Sequence, residues 1–140
     1  MNTKRIKEIV STCPFCQFIS GTSDKTMLFE HQTGFVIRDG YPITKGHTLI
    51  VPKHHVGSFF EITSEERQAL FDLVDQAKAQ LDQELKPASY NIGINDGEAA
   101  GQTIAHLHIH LIPRYHEPDK DPRGGVRWLV PDKADYWSKQ

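Results

Sequence analysis

The stretch Asn95-Asp96-Gly97-Glu98-Ala99-Ala100-Gly101-Gln102-Thr103-Ile104-Ala105-His106-Leu107-His108-Ile109-His110-Leu111-Ile112-Pro113-Arg114 decides how the chain is read. Its second half alternates. Side chains two apart in a strand share a face. The pattern therefore predicts a strand over Ile104–Ile112, closed by Pro113. His106, His108 and His110 would lie on one face of it, and Leu107, Ile109 and Leu111 in a core on the other. The first half is a glycine-rich loop, Asn95 to Gln102, leading into that strand.

Three readings of the imidazoles compete. They are solvated surface groups, ligands of one metal, or catalysts. A single ion bound by all three is disfavoured. Strand residues four apart have Cα atoms roughly 13 Å apart, whereas zinc–nitrogen bonds are only about 2 Å long. Catalysis fits better. An imidazole near neutral pH is partly unprotonated and can attack phosphorus, and flanking imidazoles can donate to a phosphate oxygen. The preceding loop suits that use. Gly101 lets backbone approach a phosphate, and Gln102 and Thr103 offer neutral donors.

Outward from this stretch, Ser89 to Asn95 reads as a strand. Before it, Thr63-Ser64-Glu65-Glu66 has the form of a capping box. Leu70, Leu73, Val74, Ala77, Leu81 and Leu85 then recur on one helical face until Pro87. His47 to Val51 is a largely apolar strand ended by Pro52. Met27–His31 and Phe35–Arg38 read as strands around the turn signal Thr33-Gly34. The first dozen residues read as a short helix or arm. The tail from His116 is loop-like. Strands, one long helix, then strands favour an α+β fold with an antiparallel sheet over βαβ units.

The 140 residues suffice for one domain, with a core over about 13–115, an arm over 1–12 and a tail over 116–140. A net charge of −2 gives no global signal for a nucleic-acid polymer. No apolar run approaches the ~20 residues of a membrane span, and no signal-peptide core follows the first residues. The expected location is the cytoplasm. In that reducing setting Cys13-Pro14-Phe15-Cys16 reads as a redox pair or half of a zinc site rather than a structural disulfide.

The residues from Asn95 to Arg114 resemble the signature of the histidine triad superfamily. So does a second block, Asp39 through Pro42 to Gly46-His47-Thr48-Leu49-Ile50-Val51-Pro52-Lys53-His54-His55. The Asp-Gly-x-x-Ala-Gly-Gln-Thr run resembles the dinucleoside polyphosphate hydrolase branch, which includes the fragile histidine triad protein. The resemblance implies an antiparallel sheet of about five strands carrying a long helix, with a short N-terminal helix. It implies a homodimer whose interface is the long helix and the strand near Ser89–Asn95. It also implies roles. His108 would attack the α-phosphorus, forming a nucleotidyl-histidine that water cleaves. His110 would bond an α-phosphate oxygen, with His47 beside it. Asn95, Gly101, Gln102 and Thr103 would hold phosphate, and Asp39 the ribose hydroxyls. Phe15, Phe18 and Ile37 would line the base pocket. Some members carry a structural zinc on a Cys-x-x-Cys and two histidines, which here implies Cys13, Cys16, His55 and His106. Any Mg²⁺ would travel with the nucleotide.

The expected activity is hydrolysis of a dinucleoside polyphosphate. The alternatives are a phosphoramidase cleaving a P–N bond, a nucleotide-binding protein without turnover, and a zinc-dependent hydrolase. In the tail, Arg127 and Trp128 are candidates for contact with a second nucleotide.

Overall fold

The structure is a computed structural model that describes residues 3–138. Five strands, β1 (Phe29–Glu30), β2 (Gly34–Arg38), β3 (Thr48–Pro52), β4 (Ser89–Gly93) and β5 (Ile109–Arg114), form one antiparallel sheet. Their spatial order is β1-β2-β3-β5-β4. Three helices accompany it, α1 (Thr3–Thr12), α2 (Pro14–Ser20) and α3 (Ser64–Leu85). The expected α+β architecture is present, with two short N-terminal helices rather than one. Among the described residues, no helix is long and apolar enough to cross a membrane.

Strand register divides the chemistry between two faces. Val36 pairs with Ile50, and Ile50 with Ile109. That row faces α3 and joins Leu70, Leu73, Ala77 and Leu81 in one core. Ile37 pairs with Leu49, Leu49 with His110, and His110 with Gly93. This second row lies on the opposite face. There α2 packs Cys13, Phe15 and Cys16 against Phe35, Ile37, Leu49 and Val51.

Helix α3 starts and ends where its residues dictate. The Thr63 hydroxyl accepts from the Glu66 amide at 3.1 Å, and the Glu66 carboxylate accepts from the Thr63 amide. Its buried stripe is Leu70, Leu73, Val74, Ala77 and Leu81. Truncating such a fully buried leucine to alanine costs about 2–5 kcal/mol. Gly34 lets the helix pack closely on the sheet; a Cβ there would stand 2.7 Å from a Leu73 methyl.

Three expectations are corrected. The strand read as Met27–His31 pairs only over Phe29–Glu30. Strand β3 runs through Pro52, which sits opposite Gly34, and β5 runs through Pro113, opposite Tyr90. The third matters most. The ladder of β5 begins at Ile109, not Ile104. The Leu107 amide bonds the Val56 carbonyl, and the Pro52 carbonyl is taken by the His106 ring instead of a strand amide. The chain over 104–108 thus leaves the ladder and carries His106 toward the cysteines. The tail also departs from a plain loop, making 3-10 turns at Gly125–Leu129 and Pro131–Lys133 and burying Ala134 completely.

Candidate active site and thiol–imidazole cluster

The three histidines of the run do not share one environment. His108 is buried, and its Nδ1 lies 2.9 Å from the His106 carbonyl oxygen. A carbonyl only accepts, so Nδ1 carries the hydrogen. In the neutral ring the lone pair is then on Nε2, which can act as a nucleophile.

His110 belongs to a chain of donors. The Ile43 amide donates to His47 Nδ1 at 3.2 Å. That fixes the His47 proton on Nε2, which lies 2.9 Å from His110 Nδ1 and 3.4 Å from the Asp39 carboxylate. His110 Nδ1 accepts, which leaves its hydrogen on Nε2. That atom is buried and has no partner among the described residues. A buried unpaired donor carries a desolvation cost that a ligand acceptor relieves. Burial, reinforced by the neighbouring His108 and His47 rings, pushes the His110 pKa down to about 4. Burial also lowers that of His47, against the pull of Asp39. Both shifts favour the neutral rings, in which His110 Nε2–H can donate to a phosphate oxygen.

These groups open into a cavity of about 630 Å³. Phe15, Phe18, Ile37 and Leu49 form its apolar end, and Asp39, His47, Asn95, Gly101, Thr103, His108 and His110 its polar end. Phe15 packs on the His108 ring at 5.0 Å between centroids. One Asp39 oxygen caps the turn by accepting from the Tyr41 amide, and the other faces His47. Gly101 adopts φ +91°, a conformation open to glycine. Gln102 is the exception among the expected phosphate ligands. It does not line the cavity. Its amide is bonded to the Gly97 amide and to the Gly57 and Ile104 carbonyls. That staples the loop which presents Gly101 and Thr103. The Ile43 contact to His47 is one that sequence reasoning misses, because its donor is a backbone amide and no side-chain pattern marks it.

The second cluster lies behind Phe15. Cys13 Sγ is 3.4 Å from His106 Nδ1, Cys16 Sγ is 3.3 Å from His55 Nδ1, and the two Nδ1 atoms are 3.2 Å apart. All four ligand atoms lie within 4.8 Å of one another. A tetrahedron of zinc with two sulfurs and two nitrogens has edges of roughly 3.3–3.8 Å, so the set fits that ion. The tautomer fits as well. His106 Nε2 donates to the Pro52 carbonyl at 2.8 Å, leaving a lone pair on Nδ1 aimed at the thiols and at His55. Burial lowers the His106 pKa to about 4, so no proton fills that position near neutrality. A cation would. His54 points elsewhere, pairing with Glu66 at 3.3 Å. Cys13 also caps α2, its sulfur accepting from the Cys16 amide.

Residues 20–117 match the family model described as the HIT domain. A solved HIT family protein from Bacillus anthracis is 38% identical, with a TM-score of 0.72, over 76% of this chain and 75% of that one. A zinc-bound histidine triad family protein from Mycobacterium smegmatis is 30% identical, with a TM-score of 0.71, over 93% of this chain and 99% of that one. Adenylylsulfatase HINT3 of Arabidopsis thaliana is 36% identical over 73% of this chain and 52% of its own length.

Proposed function

The chain belongs to the HIT domain family, and from that premise we propose that it hydrolyses a nucleotide derivative at the α-phosphorus through a nucleotidyl-histidine on His108. The observation that carries the reading is the pair of fixed tautomers. His108 presents a lone pair on Nε2, and His110 presents an unpaired N–H, into the same cavity.

Two displacements at phosphorus make up the reaction. His108 Nε2 attacks phosphorus, an N–P bond forms, and the bond to the leaving group breaks. The ring becomes cationic, and the His106 carbonyl accepting from Nδ1–H stabilises it. The leaving group departs with its electron pair and takes a proton from solvent. Water then attacks phosphorus, the N–P bond breaks, and a nucleoside monophosphate leaves while the water's proton returns to solvent. The His110 N–H stabilises charge on the α-phosphate oxygen in both steps. Asn95, Gly101 and Thr103 flank the phosphate, with Gln102 holding their loop. Asp39 receives the ribose hydroxyls. Phe15, Phe18 and Ile37 face the base. Any magnesium that neutralises phosphate charge is carried in by the nucleotide.

Cys13, Cys16, His55 and His106 would hold a structural zinc, supplying rigidity rather than a Lewis acid. The zinc-bound relative supports this assignment, as does the donor geometry. Reduced thiols in such a site suit a cytoplasmic protein. A homodimer through β4 is supported by the position of that strand at the sheet edge and by Ile92, which is 55% exposed. Light scattering of the purified protein tests it.

The sequence points to a dinucleoside polyphosphate as substrate. A second reading, a derivative with an uncharged leaving group such as a phosphoramidate, is favoured by the apolar space beyond His110. The mechanism common to both is tested by rapid quenching with an adenylyl substrate, followed by peptide mass spectrometry. An adenylyl adduct on His108 is expected. Tight AMP binding with neither adduct nor turnover would instead make the protein a nucleotide-binding module.

A further inference from the structure

The base end of the nucleotide cavity is not wholly apolar. Beyond Phe15 and Phe18 its lining continues through Ser23, Asp24 and Lys25. These three follow α2 on a turn that is fixed by its own bonds. Gly21 closes the helix in the left-handed conformation, and the Thr22 and Ser23 amides both donate to the Gln17 carbonyl. The Ser23 hydroxyl then accepts from the Lys25 amide at 3.2 Å. The helix that presents the two phenylalanines thus also carries a carboxylate and an ammonium to the same end of the cavity.

The fold uses neither charge. Asp24 and Lys25 are exposed, and among the described residues neither forms an ion pair, with each other or with another side chain. The other cation in the lining, Arg38, is held by the Thr48 hydroxyl at 2.6 Å and by Glu84 at 3.3 Å. Arg127 and Trp128 of the tail stand outside this cavity and donate to main-chain carbonyls of the tail itself. Gly40 marks where the Lys25 ammonium lies. A Cβ on Gly40 would stand 2.9 Å from Lys25 Nζ, so the ammonium takes up room that the glycine leaves, one residue along from Asp39. Gly40 has no left-handed φ, so space is what its missing side chain provides.

A base packed against Phe15 and Phe18 brings its edge to these two charges. Guanine carries neighbouring acceptors, O6 and N7, and beside them the donors N1–H and the 2-amino group. An ammonium can bond both acceptors, and a carboxylate can accept from both donors. Adenine has an amino group in place of O6. It offers the ammonium one ring nitrogen at a time and the carboxylate one amino group. We infer that the cavity selects a guanine nucleotide, with Lys25 donating to O6 and N7 and Asp24 accepting from N1–H and the 2-amino group. The inference rests on the nucleotide placement of the proposed function and names the base of its substrate.

Binding of the three purine monophosphates GMP, IMP and AMP to the full-length protein, followed by calorimetry, tests it. GMP is expected to bind roughly tenfold tighter than AMP or better, as a bidentate contact to O6 and N7 allows. IMP, which lacks the 2-amino group, is expected to fall between them. Lys25→Met keeps the stem and removes the charge, and should abolish most of the GMP preference, while Lys25→Arg should keep it. Asp24→Asn should bring GMP down to the affinity of IMP. GMP bound no tighter than AMP overturns the inference. So does a GMP-to-AMP ratio left unchanged by both Lys25→Met and Asp24→Asn. Turnover of guanylyl and adenylyl substrates tests the hydrolase reading separately: its absence with the GMP preference intact removes that reading and leaves the base assignment standing.

Discussion

His108 Nδ1 lies 2.9 Å from the backbone carbonyl of His106, so the thiol–imidazole cluster and the proposed nucleophile meet across two residues of one chain. The contact uses main chain, not the His106 ring. The ring is turned the other way, to Cys13, Cys16 and the Pro52 carbonyl. This relationship separates what each substitution should do.

Replacing His108 by Asn removes the nucleophile and leaves the cluster intact. Turnover of an adenylyl substrate should fall roughly 10⁴-fold or more, in line with loss of other enzymatic nucleophiles. Bound metal and thermal midpoint should stay near wild type. Steady-state kinetics with metal analysis checks this, and wild-type activity would remove His108 from its role.

His47→Ala breaks the relay while leaving both partners of the nucleophile in place. With no proton delivered to His110 Nδ1, that ring is free to switch tautomer and lose its N–H toward phosphate. The loss should be roughly 10²–10³-fold, the range seen when one oxyanion donor is removed. It should fall on kcat more than on KM, because charge on the phosphate oxygen grows in the transition state. A pure KM effect would place His47 in binding only.

Chelation, or Cys13→Ser with Cys16→Ser, should release metal and lower the thermal midpoint by roughly 5 °C or more, the shift of about 1–2 kcal/mol in a domain of this size. Activity should fall less than stability, and through Phe15, which sits between the cysteines and packs on His106 and His108. Scanning calorimetry with elemental analysis is the measurement. Zinc retained by the double variant would sink the ligand set. Complete loss of chemistry in a protein of unchanged midpoint would make the metal catalytic.

Acid should weaken the fold through His110. Its folded pKa is about 4 against an ordinary 6.5. Between those values the unfolded chain binds a proton that the folded chain does not, so stability is lost as pH falls through that window and is fully present above it. His110→Gln removes the titrating group. Denaturant titrations from pH 7 to 4 should find the variant losing less stability than wild type across that interval. Parallel losses would show that His110 does not titrate as its burial demands.

Much of the fold is legible in the amino-acid sequence. Helix α3 announces itself by Thr63, Glu66 and the leucine spacing, because caps and stripes are local physics. Alternation puts Leu107, Ile109 and Leu111 in the core, since strand period is fixed by the backbone. What escapes is non-local. Nothing near Ile104 says that the ladder stops at Ile109; that depends on where His106 finds the Pro52 carbonyl and the thiols. Gln102 has the chemistry of a phosphate donor, yet three backbone groups brought in by folding occupy its amide. Ile43 acts through an amide that every residue but proline has.

The break in β5 also makes the histidine run divisible by descent. His106 lies outside the ladder, and the proposed nucleophile takes from it only a carbonyl that any residue at that position supplies. Loss of the two cysteines would therefore strand one imidazole without touching the chemistry of the next. A lineage could exchange its metal anchor for plain apolar packing, position by position, and keep the same reaction throughout.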